Sequence, residues 1–290
     1  MSIPPIGVFL PTLSDRGGPV LDPVAAAVHV ESLGFESAWV VDQLIAGSGN
    51  AILDSMLVLA GTAAATQRIR LALGVLIVPL REPAWIAKQV ATLQHLSHDR
   101  VLLGVGVGGD RHGRSWRAVG VSRSERGRRL DAALAVLPDL IAGNEIDGIQ
   151  LAPAATVPPI VVGGMADAAV RRAEAHDGWF LLPMAPDGVA EAARRVTAPV
   201  TANQTLAIVG DPTLPPRGDV VQQMVDPNGL YGVPAELVDQ VLHYGEPDEI
   251  AERLQAYGKA GAARIVVTFA AGDWHRQAEL LAYAADLQPG

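Results

Sequence analysis

With a formal net charge of −9 over 290 residues, this chain carries no excess of positive charge for a phosphate backbone, which argues against a nucleic-acid partner. It contains no cysteine, so disulfides, thiolate catalysis and cysteine-ligated zinc are excluded. Apolar residues make up 49% and aromatics only 4%, so a large core must come mainly from Ala, Val, Leu and Ile, the residues that fill α/β interiors.

The first residues, M-S-I-P-P-I-G, show neither a charged n-region nor an apolar h-region. No apolar run approaches the ~18–20 residues of a membrane span. The expectation is a soluble, cytoplasmic protein. In chain order, I-G-V-F-L-P (6–11) reads as a strand, and Asp22-Pro23 opens a helix, since Asp and Pro both suit the unpaired N–H groups of a first turn. Gly34 ends that helix before the strand S-A-W-V-V-D (37–42). A helix over about 53–66 precedes the β-rich run R-I-R-L-A-L-G-V-L-I-V-P (68–79).

Pro83 starts a helix that ends near His98, before the strand R-V-L-L-G-V-G-V-G-G-D (100–110). Ser122 and Glu125 have capping-box spacing for a helix stopped by Gly143. The strands P-P-I-V-V-G-G (158–164), G-W-F-L-L (178–182) and V-T-A-N-Q-T-L-A-I-V-G (200–210) follow, with helices to His176 and over 187–197. Helix 247–258, strand R-I-V-V-T-F-A (264–270) and helix 274–287 complete the chain. Strands buried on both faces read as continuous apolar runs, and eight such strands alternating with helices match an α/β (β/α)8 TIM barrel. One domain over 1–290 is expected. The segment 211–246 holds five of the 21 prolines and reads as an irregular insertion passing over the active-site face.

Gly104, Gly106 and Gly109 fit G-x-G-x-x-G, half of a dinucleotide fingerprint. That motif must open a helix at once, with the phosphate on the helix N-terminus. Here Asp110 leads instead into R-H-G-R-S-W-R, with no helical period before Ser122. The glycines are better read as a strand end where side chains would obstruct a close approach.

In a barrel, function lies at the C-terminal strand ends, and those positions are mostly glycine and apolar residues. That pattern suits a planar ligand pressed on backbone. Asp42 closes an apolar strand, where a carboxylate needs solvent, a ligand, a helix N-cap or a rim salt bridge. Gly163-Gly164, ahead of the helix at Ala166, form either a phosphate-binding turn or a tightly packed one. His112 and His275 lie in strand-end loops, while His95, His98, His176 and His243 sit near helix C-termini, where a cation is favoured. No metal-ligand pattern and no G-x-S-x-G elbow is present. Seven arginines fall between 111 and 129. Those at 126, 128 and 129 read as a solvated helix face. Arg111, Arg114 and Arg117 follow the glycines directly and are placed to hold an anionic tail.

Taken in order, several blocks resemble the bacterial-luciferase-like family of flavin and deazaflavin oxidoreductases. They are L-G-F-E-S-A-W-V-V-D at 33–42, R-I-R-L-A-L-G-V-L-I-V-P-L-R-E-P at 68–83 and A-K-Q-V-A-T-L-Q-H-L-S-H-D-R-V-L-L-G-V-G-V-G at 87–108. P-P-I-V-V-G-G (158–164), D-G-W (177–179) and G-E-P-D-E-I-A-E-R-L (245–254) continue the series. The resemblance implies a barrel binding FMN or the deazaflavin coenzyme F-420 at its C-terminal mouth. It places Asp42 at the ring and a bulge, often a non-proline cis peptide, at Gly74-Val75. It further implies that Gly106, Gly108 and Gly109 line ring and tail, and that Gly163, Gly164 and Met165 hold the phosphate. Family members often carry histidine where this chain has Gln43, which hydrogen-bonds but cannot titrate. His112 is the substitute candidate for a catalytic group beside Gln43.

The leading expectation is therefore a flavin-type oxidoreductase or monooxygenase acting on a small organic substrate. The deazaflavin is slightly favoured because its acidic tail would use Arg111, Arg114 and Arg117. A non-catalytic flavin carrier of the same fold is the alternative. An isomerase or aldolase is disfavoured because the two lysines, Lys88 and Lys259, fall in predicted helices. Helix 53–66 has little polar face, which implies burial against a second subunit and hence a homodimer.

Overall fold

The computed structural model describes residues 3–14, 20–46, 50–109, 113–227 and 232–288. Eight strands form the frame: β1 (Ile6–Phe9), β2 (Ser37–Val40), β3 (Arg70–Leu73), β4 (Val101–Gly106), β5 (Ile160–Gly163), β6 (Gly178–Phe180), β7 (Val200–Ile208) and β8 (Ala262–Phe269). Each pairs in parallel with the next, and β8 pairs back onto β1 through Ile6–Ile265, so the sheet closes. This is the (β/α)8 barrel the alternation of runs predicts.

The helices are α1 (Pro23–Ser32), α2 (Ser55–Ala65), α3 (Pro83–Ser97), α4 (Arg114–Ala118), α5 (Arg126–Ala142) and α6 (Asp167–Glu174). They continue as α7 (Pro186–Ala193), α8 (Arg217–Val225), α9 (Val238–Val241), α10 (Pro247–Lys259) and α11 (Trp274–Ala284). Their starts follow side-chain chemistry. Asp22 accepts from the amides of Val24 (2.9 Å) and Ala25 (3.1 Å), with Pro23 in the first turn. Asp54 and Asp273 cap α2 and α11 in the same way. Each such cap contributes about 1 kcal/mol. The expected capping box at Ser122 does not form: its hydroxyl pairs with that of Ser124 at 2.7 Å, and a 3-10 turn over 123–125 precedes α5. Gly143 does end α5, at φ +73°.

Two hydrophobic layers hold the barrel. Outside the strands, aliphatic residues such as Val8, Leu71, Leu103 and Ile265 pack against the helices. Inside, despite the scarcity of aromatics, three rings fill the axis. Trp39 and Phe180 stack at 5.1 Å, and Phe9 meets both edge-on at 6.3 Å. Glycine makes room for them: a Cβ on Gly7 would lie 2.4 Å from Trp39 Nε1, and one on Gly74 2.7 Å from Phe9 Cζ.

The insertion is more ordered than its prolines suggest. Beyond α8 and α9 it adds a short strand, Leu242–Gly245, in parallel to residues 205–208 of β7. Val220, Met224, Val238 and Leu242 build a separate small core on Ala207, with Ala270 and Ala271 against it. Among the described residues, the segment therefore packs on the C-terminal end of β7 and on Ala270 and Ala271 at the barrel mouth. The apolar residues responsible are spaced for helix and strand, but prolines bracket them. Among the described residues, no helix is long and apolar enough to cross a membrane.

Candidate active site

The run 68–79 breaks at the barrel mouth. After β3 the Gly74–Val75 peptide is cis, as the resemblance implies. A two-residue strand, Leu76–Ile77, then lies beside β4 and leads into the 3-10 turn Val78–Leu80. Asp42 holds this bulge. Its buried carboxylate accepts from both Nη atoms of Arg81 (2.7 and 2.8 Å), from Ser55 Oγ (2.9 Å) and from the Ile77 amide (2.8 Å). The salt bridge weighed for Asp42 is present, with Arg81, and it is buried rather than at a solvated rim.

The glycines of β4 and β5 answer to the same bulge. A Cβ on Gly106 would stand 2.5 Å from Val75 Cγ2, and one on Gly163 would stand 2.8 Å from Val75 Cγ1. On Gly104 it would meet the Leu73 carbonyl oxygen at 1.8 Å. Gly108, at φ +73°, gives way to Ile77. The G-x-G-x-x-G spacing thus records room for a β-bulge in the barrel. At Gly109 alone in the motif a Cβ would meet nothing within 4 Å. Gly164, at φ +121°, accepts from Trp179 Nε1 at 2.7 Å through its carbonyl. Beyond Met165, α6 opens at Ala166 without a side-chain cap among the described residues.

On the other side of the bulge lies a cavity of about 600 Å³. Gly74, Phe9, the segment Pro11–Ser14 after β1, β7, β8 and Trp274 wall it. Among the described residues, none of its lining side chains is ionisable. Among the described residues, Thr12 Oγ1 and Ser14 Oγ are buried in that wall without partners, as is Asn203 Oδ1. The lip after β8 is pinned by Asp211. Burial raises the pKa of this carboxyl, but bonds from the Thr213 amide and hydroxyl, the Asp273 amide and Gln277 outweigh burial and lower it overall. Behind β7, the Tyr257 hydroxyl sits between two acceptors, Gln204 Oε1 and the Met184 carbonyl, that share its one proton, and burial pushes its phenol up to about 12.

Along the chain, residues 5–205 match the model of the luciferase-like monooxygenase family. The chain belongs to that family. Among curated relatives of this luciferase-like barrel, an uncharacterised protein of Mycobacterium tuberculosis is 36% identical over 142 residues, 46% of this chain and 49% of the relative. The chain spans about half the length of the curated relatives it matches. An F420-dependent secondary alcohol dehydrogenase, solved with an F420-acetone adduct, superposes with a TM-score of 0.75 at 17% identity, covering 100% of this chain and 99% of that one. The oxygenating constituent of 3,6-diketocamphane monooxygenase from Pseudomonas putida, solved with FMN, does so at 0.72 and 16%, covering 100% and 97%. At such identities these two structures bear on the fold alone.

The residues singled out from the luciferase-like sequence divide between the two sides of the bulge. Gly74 lines the cavity, whereas Val75 faces Gly106 and Gly163. Gln43 is exposed in the loop after β2. Arg114 donates through Nη2 to the Ala46 carbonyl at 2.9 Å, tying α4 to that loop, while its Nε is buried and unpartnered among the described residues. Arg111 and His112 lie outside the described residues. His275 is in the first turn of α11 with its ring 5.2 Å from that of His29, and it does not line the cavity. Sequence reasoning missed Asn203, Thr205 and Thr268, whose one signal was polar residues at alternate positions within apolar strands.

Proposed function

We propose that this luciferase-like barrel is an oxidoreductase that holds FMN or coenzyme F-420 at its C-terminal mouth and acts on a small organic molecule beside it. The supporting observation is a mouth cavity whose described lining holds no acid, base or cation of its own, next to a bulge anchored by four bonds to Asp42. The residues fit such a group. Gly74 presents bare backbone to the cavity, Gly109 faces open space, and Gly163, Gly164 and Met165 run into an uncapped helix start suited to a phosphate. Bound there, the cofactor supplies hydride transfer or oxygen activation that the lining side chains do not. In this reading the chain contributes a flat support at Gly74–Val75 and apolar walls from Phe9, Phe269 and Trp274, with Arg114 as the anion contact for a tail reaching beyond the cavity. This last residue favours the deazaflavin, whose tail is acidic. Titration of the purified protein with each cofactor tests the reading. Tight binding of one is expected, with Arg114→Glu weakening F-420 more than FMN. Failure to bind either would refute it.

The absence of ionisable lining groups among the described residues also favours a second reading, a non-catalytic carrier. Turnover of the reduced cofactor with any acceptor removes that alternative. We further infer a homodimer through α2 and α3, where Leu57 (75% exposed) and Trp85 (68%) form an apolar outer face with Leu96.

A further inference from the structure

The cavity wall made by β7 and β8 carries three uncharged polar side chains side by side. Thr205 and Thr268 are register partners on these strands, and Asn203 stands one inward position below Thr205. All three line the cavity. Asn203 Oδ1 is enclosed without a partner among the described residues, and the two threonine hydroxyls stand beside it in the same cavity wall. An enclosed amide oxygen is ordinarily hydrogen-bonded, because leaving it unpaired forfeits its hydration. Most of the remaining lining is apolar, including Phe9, Leu21, Phe269, Ala270 and Trp274, with Thr12 and Ser14 as uncharged hydroxyls on the segment after β1. An uncharged donor–acceptor patch in an apolar cavity suits a ligand with one oxygen function on a hydrocarbon body. A carboxylate would find no countercharge in this wall.

We propose that Asn203, Thr205 and Thr268 form the substrate-orienting subsite, and that it selects neutral alcohols or ketones over hydrocarbons and over carboxylates. This inference rests on the oxidoreductase reading and names the substrate class of that same site. Thr268 and Thr205 offer hydroxyls that both donate and accept, and the Asn203 amide offers both as well, so an alcohol and its ketone are each accommodated. The three residues position the oxygen while the aromatic rings hold the body.

The test uses the full chain and three probes followed by fluorine NMR: 4-fluorobenzyl alcohol, 4-fluorotoluene and 4-fluorobenzoate. The alcohol is expected to bind about 5- to 20-fold more tightly than the toluene, the range of one to two net hydrogen bonds, with the benzoate weakest. Thr268→Val and Asn203→Leu should erase that preference while toluene binding stays unchanged, and Thr268→Ser should restore it. Equal binding of alcohol and toluene, tightest binding of benzoate, binding of no probe, or variants indistinguishable from wild type would each overturn the subsite. Affinities for FMN and F-420 are measured on the same proteins. If the variants lose cofactor affinity and keep the alcohol preference, the wall holds the cofactor and the subsite proposal fails alone. If wild type binds neither cofactor yet prefers the alcohol, the oxidoreductase reading fails and the subsite stands.

Discussion

Asp42 is the residue at which resemblance and structure make different predictions. If it contacts the cofactor, Asp42→Ala lowers cofactor affinity at little cost to the fold. If it anchors the bulge, the fold itself weakens. Four donors converge on its buried carboxylate. Removing one partner of a buried ion pair costs about 3–5 kcal/mol. Arg81 keeps some solvent contact and has Asp54 3.9 Å away, which brings its share down to about 2–3 kcal/mol. The Ile77 amide, left without an acceptor in the interior, adds about 1–2 kcal/mol. The sum, about 3–5 kcal/mol, corresponds to a fall of roughly 10 °C in Tm for a domain of this size. Asn in place of Asp keeps acceptors for Ile77 and Ser55 but loses the charge, so about half that fall is expected. Thermal and urea unfolding without added cofactor are the assays. A Tm for Asp42→Ala within about 2 °C of wild type would refute the anchoring argument, and lost cofactor affinity at that unchanged Tm would establish the contact role.

Three further outcomes follow from the geometry. Gly106→Ala places a Cβ 2.5 Å from Val75 Cγ2 and should cost about 1–3 kcal/mol; most of it should return in the double variant with Val75→Ala, and additive unfolding energies would refute the room-for-Val75 account. Tyr257, held neutral up to about 12 in the folded protein against about 10 when unfolded, loses its proton first in the unfolded chain. Its contribution is therefore complete below pH 10 and declines between pH 10 and 12, by up to about 3 kcal/mol. Urea unfolding of wild type and Tyr257→Phe across that window should converge as pH rises, and parallel curves would contradict the assignment. Trp85→Glu, on the apolar α2–α3 face, should halve the mass seen by light scattering at micromolar concentration, and a wild-type monomer would remove the dimer.

The barrel was legible because its strands are buried on both faces and its helices begin with strong local signals. Asp22-Pro23, Asp54 and Asp273 each bond amides of the first turn they precede. Signals that depend on a competitor were less secure. Ser122 has the spacing of a capping box, yet Ser124 offers its hydroxyl a nearer partner. The strand Leu242–Gly245 needs β7 beside it, and four residues carry too little periodicity to declare themselves. The purpose of the glycines was out of reach for the same reason. Gly106 and Gly163 are required by the side chain of Val75, in the bulge after β3, and Gly104 by the Leu73 carbonyl on the neighbouring strand, and those meetings exist only after closure.

The polar residues of β7 show why fold was more legible than site. In T-A-N-Q-T (201–205), Asn203 and Gln204 are adjacent amides of nearly the same chemistry. A strand sends successive side chains to opposite faces. Gln204 turns outward to the Tyr257 hydroxyl and the Val241 carbonyl, where its bonds stiffen the wall. Asn203 turns inward, where its Oδ1 has no partner among the described residues and the cavity begins. A shift of one residue in the register of β7 would exchange the two and turn Thr205 and Thr201 away from the barrel axis. The pairing of Thr205 with Thr268 and of Val200 with Trp179 sets that register. Recognition of the substrate's oxygen, if it lies where we propose, is therefore decided by strand pairing between β6, β7 and β8, and it becomes visible only when the barrel is closed.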